Sequence, residues 1–167
     1  MIIPAPILSR LRMKENVFDV LIYLFENYMD DETDMSPDPD AIRTELLEAG
    51  FPHKEINKAF DWLESLSEQK PIQSSSLPAF RVYSAQECVK LDTECRGLLM
   101  FLEQSTILTP ACRELVVDRV MALNDESISL ENLKWIVLMV LFSQPNEEIA
   151  FARMENLVYE SMPSYLH

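Results

Sequence analysis

A mainly α-helical chain is what this sequence predicts, and three observations carry the expectation. Apolar residues return every three or four positions in segment after segment. Helix-starting signals stand directly before several of those segments. Glycine, which tight hairpin turns need for positive φ, occurs only at Gly50 and Gly97 in 167 residues. A chain of that length falls between one domain and two small ones, and it can bury a core without staples.

The elements follow in order. Val17, Phe18, Leu21, Leu24, Phe25 and Tyr28 share one face of a first helix over Glu15 to Met29, with Asp19, Glu26 and Asn27 on the wetter side. The run Asp30 to Asp40 holds two prolines and self-repelling carboxylates, so it reads as an exposed acidic loop. Asp38 is an N-cap and Pro39 the first helical position of a second helix, which passes through Ile42, Leu46 and Leu47 to a stop at Gly50. After Phe51-Pro52 a third helix carries Ile56, Ala59, Phe60, Leu63 and Leu66 as a stripe, with Trp62 on its shoulder. Two short runs, Pro71-Ile72-Gln73 and Phe80-Arg81-Val82-Tyr83, then flank a polar stretch. Three helices before a hairpin is winged-helix order. Residues 13–83 are therefore expected to form a helix-turn-helix or winged-helix-like unit with a short β-hairpin.

Ser84-Ala85-Gln86-Glu87 fits a capping box. The helix it starts covers Cys88, Val89 and Leu91, restarts at Asp92 or Thr93, and continues its inward stripe through Cys95, Leu98, Leu99, Phe101 and Leu102. Thr109-Pro110 opens another, with Leu115, Val116, Val120, Met121 and Leu123 inward, and Ser129 caps a segment from Leu130 to Phe142 that is apolar on nearly every side. That segment is the expected central helix. A last helix runs from Glu147 to Tyr159, which completes a helical bundle over 84–162. Residues 1–12 and 163–167 read as tails, with Met13 as an alternative start.

Charge restricts the company this chain keeps. Against 14 basic residues stand 28 acidic ones, a formal charge of -14, which repels nucleic acid and anionic lipid and attracts a basic partner. The longest apolar run, Trp135 to Phe142, is far short of the ~20 residues that cross a bilayer. Three cysteines without a close pair, Cys88, Cys95 and Cys112, fit free thiols in a reducing cytoplasm and not a disulfide framework.

The runs Glu15 to Tyr28, Arg96-Gly97 through Phe101-Leu102-Glu103-Gln104, and Leu133 to Phe142 resemble the bacterial Smg family, and the likeness extends from Met13 almost to the end. Smg proteins take their name through genomic association with a DNA-processing protein, and the resemblance implies no catalytic residue.

The residues that chemistry would need are scattered. His53 and His167 with the three cysteines lack zinc spacing, and Cys88 and Cys95 share the seven-residue spacing of core positions. Counted as a calcium loop from Asp30, the acidic segment puts Met35 where glycine belongs and Ala41 where a bidentate glutamate belongs. Asp61 and Glu64 sit one turn apart on a wet helical face, and no histidine stands between a nucleophile and a carboxylate. No metal or cofactor is expected. The expectation is a non-enzymatic adaptor or regulator steered to a basic protein or ribonucleoprotein by Asp30, Asp31, Glu32, Asp34 and Asp38. The alternative is a nucleic-acid regulator reading through Lys54, Asn57 and Lys58 of the third helix, with Lys70 and Arg81 beside the wing.

Overall fold

The computed structural model describes residues 16–29, 38–69 and 81–160. Among them are eight α-helices, one π-helical turn and no β-strand. The mainly helical class read from the sequence is therefore the observed one. The chain forms two compact units, Met1–Glu64 and Ser65–His167.

In the first unit, α1 (Val17–Leu24) begins at a capping box: the Asp19 amide donates to the Asn16 side chain at 3.1 Å, and the Asn16 amide to the Asp19 carboxylate at 3.3 Å. Phe18, Val20, Leu21 and Leu24 are buried. The helical segment does reach Met29, but Phe25–Met29 winds as a π-helical turn. Asn27 donates its side-chain amide to the Tyr23 carbonyl at 2.8 Å, which competes with ordinary α-helical bonding at that oxygen. The wider turn aligns residues five apart. Tyr23 and Tyr28 consequently donate their hydroxyls to one carboxylate, Glu45 of the next helix, Tyr23 at 3.2 Å.

That helix, α2 (Pro39–Glu48), starts as its sequence predicts, with the Asp38 side chain accepting from the Asp40 amide at 3.3 Å and Pro39 in the first turn. It stops in a Schellman motif: the Gly50 amide donates to the Leu47 carbonyl and the Phe51 amide to the Leu46 carbonyl, both at 3.1 Å, with Leu46 and Phe51 buried. Gly50 has φ +99°, a conformation that a side chain strains. Two residues later α3 (His53–Glu68) buries Ile56, Ala59, Trp62 and Leu66. The stripe thus runs through Trp62, expected at the shoulder, while Leu63 is only half-buried. Arg43 of α2 lies 4.6 Å from the Phe60 ring centroid and donates to Asn57.

The second unit is a bundle around one helix. Arg81 to Ser84 leads in without regular structure, so three residues of the expected hairpin form no strand; its other run, Pro71 to Gln73, lies outside the described residues, as does Phe80. The lead-in is fastened by the Arg81 side chain, not by a backbone ladder. α4 (Ala85–Lys90) opens with the Ser84–Glu87 capping box read from the sequence. Leu91 then leaves helical geometry (φ -106°, ψ 103°), and Asp92 caps α5 (Thr93–Gln104) by accepting from the Cys95 amide at 2.9 Å. Cys88 and Cys95 therefore lie on different helices. α6 (Pro110–Met121) and α7 (Leu130–Ser143) follow, capped by Thr109 and Ser129. Beyond the turn at Pro145, α8 (Glu148–Glu160) closes the described structure. α7 packs against α5, α6 and α8, and buries Leu133 and every residue from Trp135 to Leu141. No helix among the described residues is long and apolar enough to cross a membrane.

The two glycines should respond oppositely to substitution. Gly97 lies mid-α5 on the exposed side with helical backbone, and among the described residues a Cβ there would meet nothing within 4 Å beyond its own helix backbone and chain neighbours. Gly97→Ala is expected to raise unfolding free energy by about 1 kcal/mol, because alanine loses less backbone entropy in a helix. Gly50→Ala is expected to lower it by about 1 kcal/mol, because the Schellman position needs positive φ. Urea midpoints moving the same way in both variants would contradict this assignment.

Candidate partner-binding surface

Chemistry-bearing side chains in the second unit are gathered mainly into internal bonds. Arg81 donates from Nε and Nη2 to the two Glu114 oxygens at 2.9 and 3.0 Å, and it also holds Glu87. Arg113, 9% exposed, donates from Nη1 to both Glu103 oxygens at 2.7 Å and from Nη2 to Glu114 at 3.0 Å. Two guanidinium groups thus share Glu114, tying the lead-in, α4, α5 and α6 together. The hydrogen bonds from Arg81 hold the Glu114 and Glu87 carboxyls below their usual range, outweighing burial. Carboxylates held ionised in this way are weak bases, suited to bracing a fold and not to accepting a proton.

Lys90 is used likewise. Its Nζ donates to the Met121 and Leu123 carbonyl oxygens, which caps the carboxyl end of α6, and burial depresses its pKa. Among the cysteines, Cys95 and Cys112 are buried and Cys88 half-buried. Burial, aided by the Asp92 side chain, pushes the Cys95 thiol up to about 12, and burial raises Cys112 too. Thiols kept protonated are poor nucleophiles and metal ligands. Among the described residues no group of three histidine, cysteine or acidic side chains is arranged to hold a metal ion.

Of the steering residues expected from sequence, Asp38 is exposed and spends a carboxylate oxygen on capping α2, while Asp30, Asp31, Glu32 and Asp34 lie outside the described residues. The alternative set is not presented as a recognition face. Lys54 is exposed, but Asn57 is bonded to both Arg43 and His53, and Lys58 lies 3.6 Å from Glu55 on its own helix. The flanking Arg81 is locked between two glutamates, and Lys70 lies outside the described residues.

The same holds more widely. Arg119 pairs with Asp118 at 2.8 Å and Lys134 with Glu131 at 3.7 Å, while Arg96 turns onto the Leu91 and Asp92 carbonyl oxygens and Arg153 onto the Thr106 hydroxyl. Glu48, Asp61, Glu94, Glu126 and Glu148 remain exposed. The positive charge of the described residues is largely folded inward upon acceptors, and surplus negative charge faces water.

One further surface escaped the sequence reading. Phe101, expected on the inward stripe of α5, is 51% exposed, as is Met100. The buried positions Cys95, Leu99 and Leu102 define the inward side, and Phe101 falls off it.

Sequence comparison supplies the kinship. The family described as Protein of unknown function (DUF494) matches residues 17–167. "Protein Smg homolog" of Methylococcus capsulatus is 73% identical over 155 residues, covering 93% of this chain and all of the relative. The chain belongs to the Smg family. Other Smg homologues, from Thioalkalivibrio sulfidiphilus and Nitrosococcus oceani, are 51% and 52% identical over 158 and 162 residues, again covering 93% of this chain and the whole of each relative. No solved structure matches this Smg chain. The Smg name carries no reaction or partner with it, so the functional reading rests on the surface just described.

Proposed function

We propose that this Smg-family chain is a non-enzymatic cytoplasmic adaptor or regulator that binds a basic macromolecular partner, a protein or a ribonucleoprotein. The observation that supports the reading is the disposition of charge. Most of the described arginines and lysines are occupied by carboxylates and carbonyl oxygens of their own unit, and Glu48, Asp61, Glu94, Glu126 and Glu148 stand exposed in addition to the paired acids. Such an exterior speeds encounter with a cationic surface and repels polyanions. Asp30, Asp31, Glu32, Asp34 and Asp38 are proposed to steer that encounter.

The winged-helix-like reading of residues 13–83 rests on the order of helices alone, and a nucleic-acid role would fall to Lys54, Asn57 and Lys58. The bonds holding Asn57 and Lys58 argue against it.

Affinity purification from the native host at two ionic strengths separates these readings. A basic partner should be retained at 0.1 M salt and released near 1 M, where the Debye length falls from about 10 to about 3 Å. Replacing Asp30, Asp31, Glu32 and Asp34 by their amides should slow association at low salt. If instead the chain shifts DNA or RNA in a gel, and Lys54→Ala with Lys58→Ala abolishes the shift, the adaptor reading is wrong.

A further inference from the structure

α5 turns Cys95, Leu99 and Leu102 into the core of the second unit and leaves Thr93, Glu94, Gly97, Met100, Phe101 and Gln104 exposed. At about 100° per residue these six positions fall within one arc of roughly 120°, with Gly97 between Met100 on one side and Phe101 on the other. Helical side chains lean toward the preceding turn, so Met100 and Phe101 flank the backbone that Gly97 leaves bare. The result is a notch with apolar walls.

Among the described residues no packing contact accounts for this glycine. Its backbone is ordinary helix, and apart from that helix's own backbone and its two chain neighbours, no atom of the described residues lies within 4 Å of where a methyl group would stand. A helix weakened by glycine with no internal packing in return is a helix that another molecule can approach closely. Exposed methionine and phenylalanine beside it are the side chains that interface centres favour.

Charge decides the occupant. Asp92 and Glu94 stand exposed at the amino end of the face, and Arg96, the only basic residue of α5, is turned back onto Leu91, Asp92 and Thr93. A second copy would bring one formal charge of -14 against another. A cationic amphipathic segment meets both the apolar notch and the acidic end.

We propose that a basic amphipathic segment of the partner docks along this face of α5, seating an apolar side chain over Gly97 between Met100 and Phe101 and its cations against Asp92 and Glu94. This rests on the acidic-adaptor reading and gives it a location.

The test uses the full chain with labelled methionine methyl groups. The probe is a synthetic amphipathic helix of leucine and lysine, and the control is a lysine–serine peptide of equal charge. The leucine–lysine peptide should move the Met100 signal at concentrations where the control does not. Gly97→Ala should bind it about tenfold more weakly, about 1.4 kcal/mol, while the fold is stabilised. Met100→Ser with Phe101→Ser should lose binding similarly. Binding that leaves Met100 unmoved and is indifferent to Gly97→Ala would overturn the location and leave the adaptor reading standing. Binding of neither peptide would remove both. A dimer in sedimentation that Gly97→Ala dissolves would give the face to a second copy and overturn the proposal as well.

Discussion

Leu138→Ala is expected to lower the unfolding free energy by about 3 kcal/mol. Leu138 is wholly inaccessible to water at the middle of α7, between buried Val137 and Met139, on the helix that α5, α6 and α8 pack around. Truncation removes the transfer free energy of its apolar carbons and opens a cavity that closely packed neighbours fill only in part. Ile149→Ala is the matched control, since Ile149 is exposed and its truncation should stay within about 0.5 kcal/mol of zero. Urea unfolding of the two variants measures both. Equal effects would mean that α7 is not the centre of the second unit.

The position of α7 was legible because no polar face interrupts Trp135 to Phe142, and a helix apolar all round has nowhere to lie but inside. Caps were legible too. Asp38-Pro39, Ser84 with Glu87, Thr109-Pro110 and Ser129 each place a side-chain acceptor where unpaired helix amides need one, so three or four adjacent residues contain the whole interaction. What the sequence concealed depends on distant partners or on small changes of winding. The π-helical turn at Phe25–Met29 is set partly by the Asn27 bond to the Tyr23 carbonyl, and hydrophobic periodicity does not register one widened turn. Phe101 stands next to Leu102 in a run of apolar residues, and composition alone does not separate the two, although only Leu102 lies on the buried side of α5. Arg81 reaches Glu114 across 33 residues, so nothing local distinguishes it from a surface arginine beside a wing. That bond also removes Arg81 from any nucleic-acid face. Of the candidate site, net charge was readable throughout, whereas the neutralisation of individual cations required the fold.

The same network gives the chain an acid-sensitive brace. In the unfolded chain a glutamate takes up its proton near pH 4.5, whereas Arg81, with Arg113 beside it, keeps the Glu114 carboxyl ionised to lower pH, and Arg81 does the same for Glu87. Between those two pH values the unfolded chain binds more protons than the folded one, so stability falls as acid is added. The contribution is fully present above about pH 4.5 and disappears as pH drops through the folded values. Glu114→Gln should therefore be less stable than the parent at pH 7, with the difference shrinking as pH approaches 3. Arg113→Met removes the cation that Glu103 and Glu114 share, so Glu103 loses its guanidinium and Glu114 keeps Arg81 alone. Its expected cost at pH 7 is about 2 kcal/mol, below the range for a fully buried pair because Glu114 is half exposed. Urea midpoints of the three proteins from pH 7 to pH 3 should converge. Midpoints that run parallel across that range would show that ionisation of Glu114 does nothing to hold α4, α5 and α6 together, and that the arginines contribute by packing alone.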